Sequence, residues 1–221
     1  MSKFIPITPT TLSALQTCPR QFEAKYITKE VTFQETQATI WGNKCHKAME
    51  DALTLDMPIP SEMSFLSPWV SKLKNAKGTL YAETKFAIDK EGNPSSWSER
   101  YLGGIADVVV INNDKAFIGD LKTGKFKSDQ QQLTILTKCI LANHPEVEKV
   151  NATLFFPHID QLASFKTTRQ EFPTSKQNEA LEVELVRYEK ILEKGEFKPR
   201  PSGLCGKWCD VMSCEHNGRN F

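Results

Sequence analysis

The residues whose types and spacing best fit chemistry on a charged ligand lie between Gly103 and Lys122. If Asn113-Asp114 forms a two-residue hairpin turn, where Asn and Asp tolerate the left-handed conformation, then Asn112 pairs with Lys115. That register sets Asp107 across from Asp120, with Cβ atoms about 4.5–5.5 Å apart and Lys122 on the same face. Two facing carboxylates repel unless a cation holds them, and one lysine is too little to span the pair. Oxygen ligands of this kind suit Mg²⁺ or Mn²⁺, which keep open water positions and bridge to phosphate. The runs Val108–Ile111 and Ala116–Ile118 look buried on both faces, which argues against solvated acids on an edge hairpin. An acid-x-Lys triplet arises by chance about three times in such a chain, so it says little alone. What distinguishes Asp120-Leu121-Lys122 is its company: Asp107 opposite, Thr123-Gly124 after it, and Gln130-Gln131-Gln132 beyond.

His46 is the other potential ligand. A lone helical histidine is more often packed or solvated than ligating, but Gly42, His46 and Glu50 recur at i, i+4 and i+8 along one stripe. Gly42 would permit close approach of another segment, and His46 could point into the cleft of the acids. Three of six cysteines, Cys205, Cys209 and Cys214, crowd into a loop after the Pro/Gly-rich stretch Lys198–Gly203. Cys18 sits near the other end in Cys18-Pro19-Arg20. Zinc held by Cys205, Cys209, Cys214 and His216 is one reading of the tail. Cys45 and Cys139 fall within apolar helical patterns and read as packed thiols.

The elements that must position these groups follow from periodicity. Thr8-Pro9-Thr10-Thr11 offers capping hydroxyls to a short helix that breaks near Pro19. A second amphipathic helix spans about 38–55, and Leu66, Trp69, Val70 and Leu73 suggest a short one. Strand-like runs cover 79–89, 102–111 and 116–121. A helix follows over 128–143, a buried strand over 150–156, and a last helix marked by Leu181, Leu185, Tyr188 and Leu192, with Gly195 placed to end it. This order argues for an α/β core with a mixed sheet. With 221 residues the chain suits one domain, read as an N-terminal segment (1–37), a core (38–195) and a cysteine-bearing tail (196–221). A net charge of +1 excludes a polybasic coat but leaves room for a local basic groove. No apolar run approaches the roughly 18 residues of a membrane span, and Met1–Pro9 lacks a secretory apolar stretch. A reducing cytoplasmic location is therefore expected, with cysteines as ligands and buried thiols rather than disulfides.

In order, Gly42-x3-His46-x3-Glu50, Glu83, Gly104-x2-Asp107, Asp120-x-Lys122-Thr123-Gly124 and Gln132 resemble the RecB-like branch of the PD-(D/E)XK nucleases. Cys18-Pro19-Arg20-x-Phe22 with the three C-terminal cysteines resembles its iron–sulfur subset, which includes AddB-type nucleases and CRISPR-associated RecB-like exonucleases. The resemblance runs from residue 18 to 214. It implies a restriction-endonuclease-like core, a mixed central sheet flanked by helices, and hydrolysis of DNA phosphodiesters, with exonuclease action on ends or single strands expected. His46, Asp107 and Asp120 would bind Mg²⁺ or Mn²⁺ with the Leu121 carbonyl. Lys122 would orient the attacking water and stabilise developing charge, and Glu83 would help hold a second metal. Glu50 would orient the helix or a ligand. Gln132, Thr123 and Lys125 would face DNA, although the family's Gln-x3-Tyr tyrosine is Leu136 here. Cys18, Cys205, Cys209 and Cys214 would hold a [4Fe–4S] cluster joining the N- and C-terminal segments.

Two other functions stay open on the sequence. One is a non-catalytic DNA-binding or assembly protein that keeps the fold, against which the intact His46, Asp107, Asp120 and Lys122 set counts. The other is cleavage of RNA, since such a site handles any phosphodiester. The expected partner is DNA, with a recombination or CRISPR-adaptation protein as a further candidate. Small members of this group also include virus-encoded ones acting in a host cytoplasm.

Overall fold

The computed structural model describes residues 4–32 and 34–219. It divides into two compact units, one built from the segments up to Gln34 and from Glu182 onward, the other from Glu35 to Leu181. No helix among the described residues is long and apolar enough to cross a membrane.

The larger unit is a five-stranded sheet in the order β1 (Thr79–Ile88), β2 (Leu102–Asn112), β3 (Lys115–Leu121), β4 (Lys149–Phe156) and β5 (Gln161–Thr168). Only β3 and β4 run parallel. The sheet is therefore mixed and flanked by helices, as expected. The turn falls at Asn113-Asp114, Asn113 takes a left-handed φ of +52°, and Asn112 pairs with Lys115. Sequence reasoning missed β5. Its inward signal is confined to Ala163 and the half-buried Phe165, while most of its other residues are polar, as befits a strand at the sheet's edge.

Helices α3 (Gln37–Thr54) and α4 (Ser67–Lys74) place Cys45, Met49, Ala52, Val70 and Leu73 in one apolar cluster with Val108 and Val110 of β2, Leu121 of β3 and Phe155 of β4. Helix α5 begins at Gln131, three residues later than its periodicity suggests, and ends at Asn143. Asp129 accounts for the late start, because its carboxylate accepts the Gln131 N–H at 3.0 Å and holds the preceding backbone in a turn. The end of α5 is closed by Arg169, whose Nε, Nη1 and Nη2 donate to the carbonyls of Val147, Leu141 and His144 at 2.9, 2.9 and 2.7 Å. Leu141 in the last turn of α5 has one of the carbonyls that a helix end leaves without an intrahelical partner, while His144 and Val147 belong to the turn that follows. Arg169→Ala is expected to cost about 3 kcal/mol and lower Tm by roughly 6–12 °C. Arg169→Lys should recover only a fraction, because one ammonium cannot span three carbonyls. Thermal melts of the two variants check this.

In the smaller unit, α1 (Pro9–Thr17) starts at a Thr8 cap and gives way at Cys18 to α2 (Pro19–Phe22) and a π-helical turn over Glu23–Ile27. Phe22 is buried against Tyr188 of α6 (Lys176–Lys194), with ring centroids 5.5 Å apart and edge to face, and against Phe197 at 6.1 Å. Arg20 bonds Glu30 at 2.8 Å and Ser213 at 2.7 Å, which fixes the Cys18 turn to the C-terminal tail. Asn217 is buried and donates to the carbonyls of Cys209 and Val211 at 3.1 and 3.0 Å, holding the tail's loops in place.

Candidate active site

Sheet register brings the acids together. The β2–β3 ladder runs to Val108–Gly119, so Asp107 and Asp120 come next in the same register. There the Asp107 carboxylate takes over from the main chain and accepts the Leu121 N–H at 2.6 Å. On the other side of β2, β1 pairs Ala82 with Val108 and Thr84 with Ala106, which sets Glu83 beside Asp107. Glu83 has a φ of +47°, a left-handed conformation in mid-strand that a glutamate adopts only at a cost of about 1–3 kcal/mol. That strain belongs to the site, and nothing in the sequence announces it.

Helix α3 delivers His46. Its Nδ1 lies 3.2 Å from Asp107 Oδ1 and 3.7 Å from Glu83 Oε1. Among the described residues, His46, Glu83 and Asp107 have ligand atoms within 4.8 Å of one another, a spacing that suits one metal ion. Gly42, one turn earlier, lets Thr123 close in, since a Cβ there would sit 3.3 Å from Thr123 Oγ1. Glu50 forms an ion pair with Lys47 at 3.0 Å on its own helix.

Asp120 stands just outside that trio. It is 1% exposed, and its Oδ1 accepts a hydrogen bond from Gln132 Nε2. Lys122 Nζ comes within 2.6 Å of Asp120 Oδ2 as an ion pair but lies off the hydrogen-bonding direction, so Oδ2 remains buried without an aligned partner. Lys122 donates instead to Gln132 Oε1 at 2.8 Å. Gln132 thus clamps the acid and the lysine together, rather than standing free on the surface. Leu136, at the family's tyrosine position, is buried and fills the space left by Gly104, where a Cβ would lie 2.9 Å from Leu136 Cδ2. A tyrosine at that position could not pack in the same way. Leu121 is fully buried, while Lys125 is exposed on the loop that follows.

Charge at the site is poised for a cation. Burial, reinforced by the neighbouring Asp107 charge and only partly offset by Lys122, pushes the Asp120 carboxyl up to about 7. Burial alone would make His46 less basic, but its bonds to Asp107 and Glu83 outweigh that and carry the imidazole up to about 10. A buried acid facing an unaligned lysine, beside a histidine and two more acids, fits the donor set of a divalent ion.

In the smaller unit, Cys18, Cys205, Cys209 and Cys214 all line one cavity of about 110 Å³. The Arg200 N–H points at Cys18 Sγ from 3.3 Å, and the Ser202 N–H at Cys205 Sγ from 3.4 Å. No three of these thiols and His216 bring their ligand atoms within 4.8 Å of one another. Tetrahedral zinc, with Zn–S bonds of about 2.3 Å, would need them closer. Cys45 and Cys139 are fully buried, and burial raises both thiols, Cys139 to about 12.

Over residues 6–214 the chain matches the model of the PD-(D/E)XK nuclease superfamily, and it belongs to that superfamily. No curated protein matches it significantly. The structure described as the crystal structure of SSO0001 superposes with a TM-score of 0.51 at 17% identity, over 98% of this chain and 89% of its own. A protein of Eubacterium rectale named as a "Putative exonuclease" superposes with a TM-score of 0.52 at 10% identity, over 88% of this chain and 84% of its own. At such identities the likeness is one of fold. Membership makes this chain a nuclease, an enzyme of phosphodiester hydrolysis whose substrate is nucleic acid.

Proposed function

We propose that the chain is a Mg²⁺- or Mn²⁺-dependent DNA exonuclease of the RecB-like kind, acting on ends or single strands and carrying a [4Fe–4S] cluster. The observation that carries the nuclease reading is the convergence of His46 from α3, Glu83 and Asp107 from within β1 and β2, and buried Asp120 with Lys122 at the end of β3.

His46, Asp107 and Asp120, with the Leu121 carbonyl, would hold the divalent ion, and Glu83 would hold a second. A bound ion supplies Lewis-acid stabilisation of the phosphate and a more acidic water. Asp107, fixed by the Leu121 N–H, sets the ligand geometry. Lys122, held by Gln132, orients the attacking water and stabilises charge that develops on the phosphoryl oxygens. Thr123, Lys125 and Gln132 line the path of the strand.

Cys18, Cys205, Cys209 and Cys214 are the cluster ligands. Their shared cavity and the N–H groups directed at two sulfurs suit a polynuclear cluster, whose ligands sit at separate corners. A recombination or CRISPR-adaptation protein is the partner beside which such a chain would work.

Release of nucleotides from end-labelled single- and double-stranded DNA, with 5′ or 3′ ends blocked, tests the reading. Activity on DNA with Mn²⁺ or Mg²⁺ is expected, and its absence would refute it. A second prediction concerns pH. In the metal-free protein His46 carries a proton up to about pH 10 and Asp120 up to about pH 7, and an entering ion must displace both. Mn²⁺ affinity measured by calorimetry should therefore tighten by roughly 1,000-fold from pH 6 to pH 8, about 100-fold from His46 and about tenfold from Asp120, with between one and two protons released per ion. A rise of only about tenfold would remove His46 from the ligand set, and a flat profile would remove both groups.

A further inference from the structure

The segment Lys122-Thr123-Gly124-Lys125-Phe126-Lys127 leaves the end of β3 and passes beside the end of β4. The Lys122 N–H bonds the Phe155 carbonyl at 2.9 Å, joining the C-terminal ends of these two parallel strands. Phe126 returns to the same edge and rests on the buried Phe156, with ring centroids 5.2 Å apart and planes at 54°. Yet it stays 43% exposed. Lys125 and Lys127 on either side are exposed and form no ion pair among the described residues. A single exposed aromatic is ordinary. One anchored from behind, flanked by two unpaired lysines and four residues past Lys122, is placed for a ligand. Its Cα can lie no more than about 14 Å from that of Lys122.

We propose that Phe126 is a stacking platform for a base of the single strand that enters the site, with Lys125 and Lys127 holding the phosphates on either side. Binding modules for single strands combine the same parts: an aromatic face that takes any base and cations that track the backbone. The proposal rests on the nuclease reading above and adds what the acid cluster does not supply, a reason for the site to take an unpaired strand. A base stacked within a duplex has no free face to offer Phe126.

The test is equilibrium binding of the full chain, without divalent metal, to a fluorescent DNA strand and to an abasic strand of equal length. Wild type should bind the base-bearing strand about tenfold more tightly. Phe126→Ala should bind both strands alike, and Phe126→Trp should restore the preference. Phe126→Leu keeps the apolar contact with Phe156 but offers no flat face, so it should behave like Phe126→Ala, and unchanged melting separates lost stacking from lost packing. Lys125→Ala and Lys127→Ala should weaken both strands equally and each reduce the salt slope by about 0.7. A base preference that persists in Phe126→Ala, or is absent from wild type, overturns the proposal. Failure of wild type to release nucleotides from DNA with Mg²⁺ or Mn²⁺ would instead overturn the nuclease reading, while the metal-free binding still decides the stacking.

Discussion

Asp120→Asn is expected to reduce nucleotide release by at least about 1,000-fold, roughly 4 kcal/mol of transition-state stabilisation, while leaving the fold as stable or more so. The two effects have one cause. Asp120 is buried, its Oδ2 lacks an aligned hydrogen-bond partner, and the Asp107 charge lies close by. Asparagine keeps the shape and removes the charge. An acid with a raised pKa costs no stability below its unfolded value and costs progressively more as the pH climbs to its folded value. In the metal-free protein, Asp120→Asn should therefore raise Tm by a few degrees at pH 8, and the gain should shrink toward zero as the pH falls to 4. The lysine left behind, about one-third exposed and still bonded to Gln132, limits the gain without reversing it. Undiminished activity would remove Asp120 from the site. A Tm that fell at pH 8 would mean that its charge holds the fold together, and the activity loss would then say little about chemistry.

Cys209→Ser is expected to abolish bound iron and lower Tm by more than 10 °C. Four thiolates are the usual requirement of a [4Fe–4S] cluster, and a serine hydroxyl, a harder and far less acidic donor, holds iron much less well. The cluster would tie Cys18 to three cysteines of the tail, beside the Arg20–Ser213 and Arg200–Gln16 bonds, so ligand loss becomes folding loss. Anaerobically purified wild type should hold about four iron and four sulfide per chain. Cys139→Ser, at a fully buried position, should keep the iron. Zinc without sulfide would sink the cluster, and iron retained by Cys209→Ser would sink this ligand set.

Much of the site was legible because it hangs on one turn. Asn113-Asp114 sets the register, and a period of two then carries Asp107 and Asp120 to matching positions. Gly42 and Gly104 were visible as gaps, but what fills them was not. Thr123 and Leu136 arrive from segments whose docking depends on the whole sheet. For the same reason Gln132 read as a surface contact rather than a clamp, since its partners lie 10 and 12 residues back across a loop of undetermined path. Glu83 shows another limit: a glutamate at positive φ carries no compositional mark, unlike the glycine that would take that conformation freely.

The division of the chain bears on its biosynthesis. The segment up to Gln34 and the segment from Glu182 fold together, and all of Glu35–Leu181 lies between them in order of synthesis. At about 5–20 residues per second a ribosome takes roughly 7–30 s to cross that interval. Throughout it Phe22 has no Tyr188 to pack against and Arg20 no Ser213 to bond. The sheet can close while α1 and α2 still wait, so a segment made before the sheet belongs to the unit completed after it. A chain truncated after Leu181 and released from the ribosome should already protect β1–β5 from protease and leave the Cys18 turn open to it.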